Sequence, residues 1–283
     1  MKQFINCNGK LIDLSTPKVM GILNVTPDSF FDGGKYNSAD LILSQTEKML
    51  AEGATFIDIG AYSSRPNANN ISEDEELKRS LNAVKLILSH FPQTLISIDT
   101  FRSEVAQQTI DAGACMINDI SGGNLDANMF KIIAKNKVPY ILMHMLGTPQ
   151  NMQNNPQYDA IIYELRLFFS EKIFELKSVG INDIILDVGF GFGKTVAQNY
   201  TLLEYLELFA CFKLPILAGI SRKSMLYKVL KTSANEALNA TTAANTIALL
   251  KGAKILRVHD VKEAVETIKI VNQLQKNEKI FAI

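Results

Sequence analysis

The chain carries no excess charge of either sign: 29 Lys and Arg stand against 29 Asp and Glu. No global field therefore gathers nucleic acid or an anionic membrane, and any anion site must be built locally. Cysteine is scarce. Cys7, Cys115 and Cys211 are odd in number, lie far apart and form no C-x-x-C pair, which argues against a disulfide framework and a zinc ribbon and points to a reducing compartment. No apolar run approaches the roughly 18 residues of a membrane span, and residues 1–11 lack the continuous apolar core of a signal peptide. A cytoplasmic location is the expectation. Also missing is any compositional break, linker or low-complexity tract.

What the chain does have is apolar residue, 47% against 20% charged, enough to bury a large core. Its 283 residues suit either two domains of about 150 or one α/β barrel of about 250. Short apolar runs recur eight times, at 19–23, 55–59, 95–98, 115–117, 140–143, 184–186, 216–218 and 255–258, with helical periodicity between them. Such alternation implies parallel strands, because each needs a long crossover back to the same sheet edge. Gly53, Gly113, Gly180 and Gly252 each sit a residue or two before a strand and read as helix stops. Ser72-Glu73-Asp74-Glu75 reads as a capping box opening a helix that runs to about His90. Eight strand–helix units predict the α/β class and a single (β/α)8 TIM barrel over residues 1–283, in preference to a doubly wound open sheet. Residues 1–18 read as a short N-terminal β-rich cap with a hairpin around Asn8-Gly9.

In such a barrel the active site lies at the C-terminal ends of the strands. Asn24 ends the first run, Asp99 the third, Asn118 the fourth and Asp187 the sixth, while Arg257 and His259 alternate at the eighth and so point to one side. A single strand-end Asp or Asn usually caps a helix or turn; five runs converging on one face favour a site. The loop from Asn24 to Gly34, with Phe30 and Phe31, reads as a mobile lid. Ala61-Tyr62-Ser63-Ser64-Arg65-Pro66 offers hydroxyls and a guanidinium suited to phosphate. Asp187-Val188-Gly189-Phe190-Gly191-Phe192-Gly193-Lys194 is not a phosphate loop, because Val188 stands where that spacing needs glycine. Its alternating glycines would let a planar ligand approach the backbone, with Phe192 as a stacking candidate. Ser221-Arg222-Lys223 places a hydroxyl and two cations where a helix should begin, as an anion site or an ordinary cap. His90, His144 and His259 are too dispersed for a zinc cluster. His144 is either structural or lines the site. The inventory places carboxylates and amides deep, with Arg65, Arg257 and His259 nearer the rim. It suggests a heterocycle with N–H donors bound inside and a phosphate held outside. No nucleophile stands out, so chemistry rests on positioning and charge stabilisation.

Seven motifs occur in register between about residues 14 and 271: Met20-Gly21-Ile22-Leu23-Asn24-Val25-Thr26-Pro27-Asp28-Ser29-Phe30, Ile98-Asp99-Thr100, Ile117-Asn118-Asp119, Leu142-Met143-His144-Met145, Gly189-Phe190-Gly191-Phe192-Gly193-Lys194, Ser221-Arg222-Lys223-Ser224 and Arg257-Val258-His259-Asp260. Together they resemble the dihydropteroate synthase family of folate biosynthesis. The resemblance implies a transferase that condenses 6-hydroxymethyl-7,8-dihydropterin diphosphate with p-aminobenzoate, releasing pyrophosphate by an SN1-like route. It implies that Asp99, Asn118, Asp187 and Lys223 bind the pterin, with Met143, Phe192 and Arg222 against it. Asn24 would meet Mg²⁺ and, with Arg65, Arg257 and His259, hold the diphosphate. The p-aminobenzoate would sit among Phe30, Ser64, Pro66, Phe192 and Ser221. Asp99, Lys223 and Arg65 would carry the catalysis. Small-molecule substrates, no nucleic acid, no membrane and a homodimer are implied as well. Four positions in three places depart from the family: Ala61-Tyr62 where Gly-Glu is common, Ser64 where threonine is common, and Val188 where proline usually follows the aspartate. These bear on p-aminobenzoate and sulfonamide affinity more than on the reaction. Competing readings are a pterin-binding methyltransferase, which needs no diphosphate clamp, and a non-catalytic pterin-binding relative, which would be expected to lose Asn24, Asp99 or Lys223. A fused pterin kinase would need more chain than 283 residues leave beside a barrel.

Overall fold

Eight strands that are buried on both faces need no alternation of polar and apolar residues, and their sequences show little. In the computed structural model, which describes residues 4–26, 38–62 and 71–281, these are β3 (Lys18–Asn24), β4 (Phe56–Gly60), β5 (Leu95–Asp99), β6 (Met116–Asp119), β7 (Tyr140–Met143), β8 (Ile184–Asp187), β9 (Ile216–Ala218) and β10 (Ile255–Val258). They pair in parallel and close in the order β10-β3-β4-β5-β6-β7-β8-β9, the expected (β/α)8 barrel. The helices between them are α1 (Ser38–Ala51), α2 (Glu73–His90), α3 (Ser103–Asp111), α4 (Met129–Asn136), α5 (Ile161–Ser178), α6 (Val196–Glu204), α7 (Ser224–Leu230) and α8 (Leu238–Leu250), with α9 (Val261–Phe281) last. Helix α2 starts where its cap predicts: Ser72 Oγ accepts the Glu75 N–H at 3.2 Å, and four acidic residues occupy its first turn. The four glycines read as helix stops all have positive φ.

The chain opens with β1 (Phe4–Cys7) and β2 (Lys10–Asp13), paired antiparallel. Asn8 and Gly9 between them have φ of 50° and 83°, the two left-handed residues of a tight hairpin. This hairpin packs Ile5, Cys7, Ile12 and Leu14 against Met20, Phe56, Met116, Ile141, Ile185, Leu217 and Ile255, one inward side chain from seven of the barrel strands. Cys7 and Cys115, remote in sequence, meet there as free thiols. Their hydrogen bond and their burial push the Cys7 thiol far up, so it stays protonated.

Above that apolar floor the interior turns polar. Strand register sets Asn24 beside Gly60, Gly60 beside Asp99, and Asp99 beside Asn118. Because strand side chains alternate, the inward residues two positions earlier are Asp58 and Ser97, also in register.

Candidate active site

One charged group inside the barrel is Asp58 on β4, fully buried. A buried carboxylate must be paired or hydrogen-bonded, and two donors reach it: Arg257 Nε at 2.6 Å and Asn118 Nδ2 at 3.1 Å, both to Oδ2. A second nitrogen of Arg257 holds Asp99 Oδ2 at 2.6 Å. Arg257 thus joins two carboxylates across the barrel. Burial pushes Asp99 up to about 7 against the pull of Arg257. The neighbouring Asp58 Oδ1 and Asn118 Oδ1 are buried acceptors with no donor. Such orphans are rare and point to a partner that supplies N–H groups.

Asp187 ends β8 and is also buried. Its Oδ1 accepts the Gly189 N–H at 2.8 Å; burial raises its pKa, and Lys223 most strongly opposes the rise. The Lys223 ammonium donates to the Phe190 carbonyl and lies 4.6 Å from the Phe192 ring centre, a cation–π contact. Burial brings Lys223 down to about 8, with Asp187 pulling the other way. The next loop carries Ser221, whose hydroxyl stands 3.0 Å from His259 Nδ1 and accepts the His259 backbone N–H at 3.2 Å.

The turn between β8 and α6 is pressed against the end of β7. A Cβ on Gly189 would lie 2.0 Å from the His144 carbonyl, and φ there is +70°, so only glycine fits. Lys194 sits beneath this turn, buried, within 3.0 Å of Gly189 O, 2.9 Å of Phe192 O, 3.2 Å of His144 O and 3.2 Å of His144 Nδ1. Burial lowers Lys194 to about 7 and holds His144 neutral, with the Lys194 charge adding to the effect. Phe192, Met143, Met145, Met152, Ile120 and Phe101 form one apolar cluster.

The C-terminal ends of the closed barrel therefore gather buried carboxylates and amides beside Arg257 and Lys223, with two acceptors left without a donor, and known proteins share this frame. The profile of a family described as pterin binding enzyme matches residues 20–259. The chain belongs to that family. Among pterin-binding enzymes it is 43% identical to the dihydropteroate synthase of Haemophilus influenzae over 93% of this chain and 96% of that protein. It is 43% identical to that of Escherichia coli K12 over 96% and 95%. In structure it matches a Yersinia pestis dihydropteroate synthase solved with a sulfonamide drug, at a TM-score of 0.91 and 43% identity, covering 97% of this chain and 100% of that one. It also matches a Xanthomonas albilineans dihydropteroate synthase solved with 4-aminobenzoic acid, at 0.91 and 34%, covering 97% and 99%.

Of the residues named from this family's motifs, Asn24, Asp99, Asn118, Met143, Asp187, Phe192, Ser221, Lys223, Arg257 and His259 lie at the strand ends or in the turns that follow them. Phe30, Phe31, Ser64, Arg65 and Pro66, and with them the lid expected after β3, lie outside the described residues. Two placements change. Arg257 is not a rim residue: it turns down to Asp58 and Asp99, because a buried carboxylate draws the nearest strong donor. Arg222 does not face the pocket. Its guanidinium grips Asp260 with two bonds of 2.8 Å and donates to the Ala234 and Asn235 carbonyls. The predicted helix start also shifts from Ser221 to Ser224, with Lys223 as the capping residue.

Asp58 is the pocket residue that sequence reasoning misses, although a carboxylate inside an apolar run is a visible signal. His144 proves structural: it is buried and stacks edge-on with Phe168 at 4.9 Å. Asp119 is structural as well, accepting from Ser121 N and Oγ, Gly123 N and Tyr140 OH. For a metal, Asn24 Oδ1 leans over Gly60, where a Cβ would meet it at 3.1 Å. Among the described residues no three His, Cys, Asp or Glu side chains gather to hold an ion. One amide oxygen suits Mg²⁺ that keeps several waters and takes other ligands from substrate phosphates. The residues present therefore fit an ion that arrives with a diphosphate. No helix among the described residues is long and apolar enough to cross a membrane.

Proposed function

We propose that the protein is a transferase that condenses 6-hydroxymethyl-7,8-dihydropterin diphosphate with p-aminobenzoate, giving 7,8-dihydropteroate and pyrophosphate. The observation that carries this reading is the pair of donorless buried acceptors, Asp58 Oδ1 and Asn118 Oδ1, beside Asp99 and Asp187. A pterin presents several N–H groups and would satisfy them, repaying the desolvation each now suffers. The C–O bond at the pterin methylene breaks and its electron pair leaves with pyrophosphate. The arylamine nitrogen then forms the C–N bond and loses a proton. Asp99 stabilises positive charge on the pterin as that bond breaks, Arg257 holds Asp58 and Asp99 in place, Lys223 binds the pterin beside Asp187, and His259 meets the negative charge of the diphosphate. Asn24 would hold Mg²⁺, whose chemistry is to neutralise the departing pyrophosphate. Phe192 and Ser221 frame the arylamine, and its orientation relative to the methylene supplies an entropic gain. A cytoplasmic homodimer is part of the same proposal, and the exposed Val229, Leu230, Ile247 and Leu250 on α7 and α8 offer an apolar face for the second subunit.

Mass-spectrometric detection tests the reaction directly, using purified protein, Mg²⁺ and the dihydropterin diphosphate with and without p-aminobenzoate. A dihydropteroate peak requiring both substrates is expected. Pterin binding without product or pyrophosphate would overturn the synthase reading.

A further inference from the structure

Residues 189–193 are glycine at every second position, a composition that normally leaves a backbone free to sample many conformations. Here each of their five carbonyls accepts a hydrogen bond from a side chain. Gly189 O and Phe192 O take Lys194, Phe190 O takes Lys223, Gly191 O takes Gln153 Nε2 at 2.6 Å, and Gly193 O takes Tyr158 OH at 2.9 Å. From the N–H side, Gly189 is held by Asp187 and Gly191 by Asn199 Oδ1 at 2.7 Å. Lys194 alone fixes two of the five carbonyls, and ties them to His144 O at the end of β7. Lys194 is only 3% exposed, and among the described residues no carboxylate bonds to it. A lysine is seldom buried unless it is paired, and an apolar side chain of similar length would avoid the desolvation. What methionine would not do is hold two turn carbonyls and a strand end together.

We infer that Lys194 is a positioning residue, which makes the 189–193 turn a rigid platform that presents the Phe192 ring at a set height beside Lys223. The inference rests on the synthase reading of this pocket. Phe192 then serves the arylamine only while the turn beneath it is held.

The test is Lys194→Met in the full chain, read in two ways. Amide hydrogen exchange at residues 189–193, which needs no activity, should accelerate by about tenfold or more, the measure of a local opening made easier. In steady state the KM for p-aminobenzoate should rise by about tenfold, while the dissociation constant for the pterin substrate changes less than about threefold. A lower melting temperature with unchanged exchange in the turn and an unchanged KM would leave Lys194 a fold residue and overturn the inference. Should Lys194→Met not fold, Lys194→Gln, which keeps an N–H donor on a shorter side chain, should give the same pattern on a smaller scale, and unchanged exchange and KM there would equally overturn the inference. Wild-type protein that shows a protected turn but forms no dihydropteroate would overturn the functional reading instead.

Discussion

Arg257 and Asp58 lie 199 positions apart and meet at 2.6 Å inside the barrel. One guanidinium spans from β10 to β4 and on to Asp99 of β5, so the pocket floor is an ion network rather than a row of separate ligands. Removing one partner of a buried pair leaves the other charge uncompensated. Arg257→Met should therefore destabilise the fold by about 3–5 kcal/mol, measured by urea unfolding. Adding Asp58→Asn should recover part of the loss, since the double variant no longer buries that unpaired carboxylate.

Asp99→Asn keeps the shape of the side chain and leaves Arg257 its bond to Asp58. Stability should change by about 1 kcal/mol, whereas turnover should fall by about 10²–10³, the usual cost of removing one preorganised electrostatic group. Product formation under saturating substrates reads this, and unchanged turnover would remove Asp99 from the reaction.

The pH profile carries a sign. Asp99, raised to about 7 by burial, works as a carboxylate and so gains function as pH rises through that value. Lys223, lowered to about 8 by burial, works as a cation and loses function as pH rises further. The kcat/KM for the pterin substrate should form a narrow bell between those limits. Asp99→Asn should erase the acid limb and Lys223→Met the alkaline one; a flat profile across the range in the wild type contradicts both roles.

Tyr62 stands edge-on to Phe101 at 5.2 Å, faces the Arg102 guanidinium at 5.6 Å and accepts from Gln150 Nε2 at 2.8 Å. Arg102 is itself ion-paired to buried Glu76 at 2.7 Å. Losing the hydroxyl alone in Tyr62→Phe should cost about 1 kcal/mol, because exposed Gln150 can turn to water. Tyr62→Ala, which also empties the aromatic contact, should cost about 3 kcal/mol. Paired urea melts separate the two contributions.

Much of this architecture is legible in the amino-acid order alone. The runs at 140–143, 216–218 and 255–258 are β7, β9 and β10 to the residue, because a strand buried on both faces advertises itself as apolar sequence, interrupted in β10 by Arg257. The cap at Ser72 and the Asn8-Gly9 turn are equally local, and both appear where expected. Partner choice is not local. That Arg257 bends down to Asp58, that Arg222 prefers Asp260, and that Lys194 serves carbonyls rather than an anion all depend on which distant groups closure brings within reach. Asp58 escapes sequence reasoning because a lone carboxylate within an apolar run has no partner in its own neighbourhood of the chain.

The hairpin at the base also governs traffic. With Ile5, Cys7, Ile12 and Leu14 wedged under the apolar floor, the described residues leave no passage through the base of the barrel. Whatever occupies the polar layer beside Asp58 therefore reaches it from the C-terminal ends of the strands and leaves the same way.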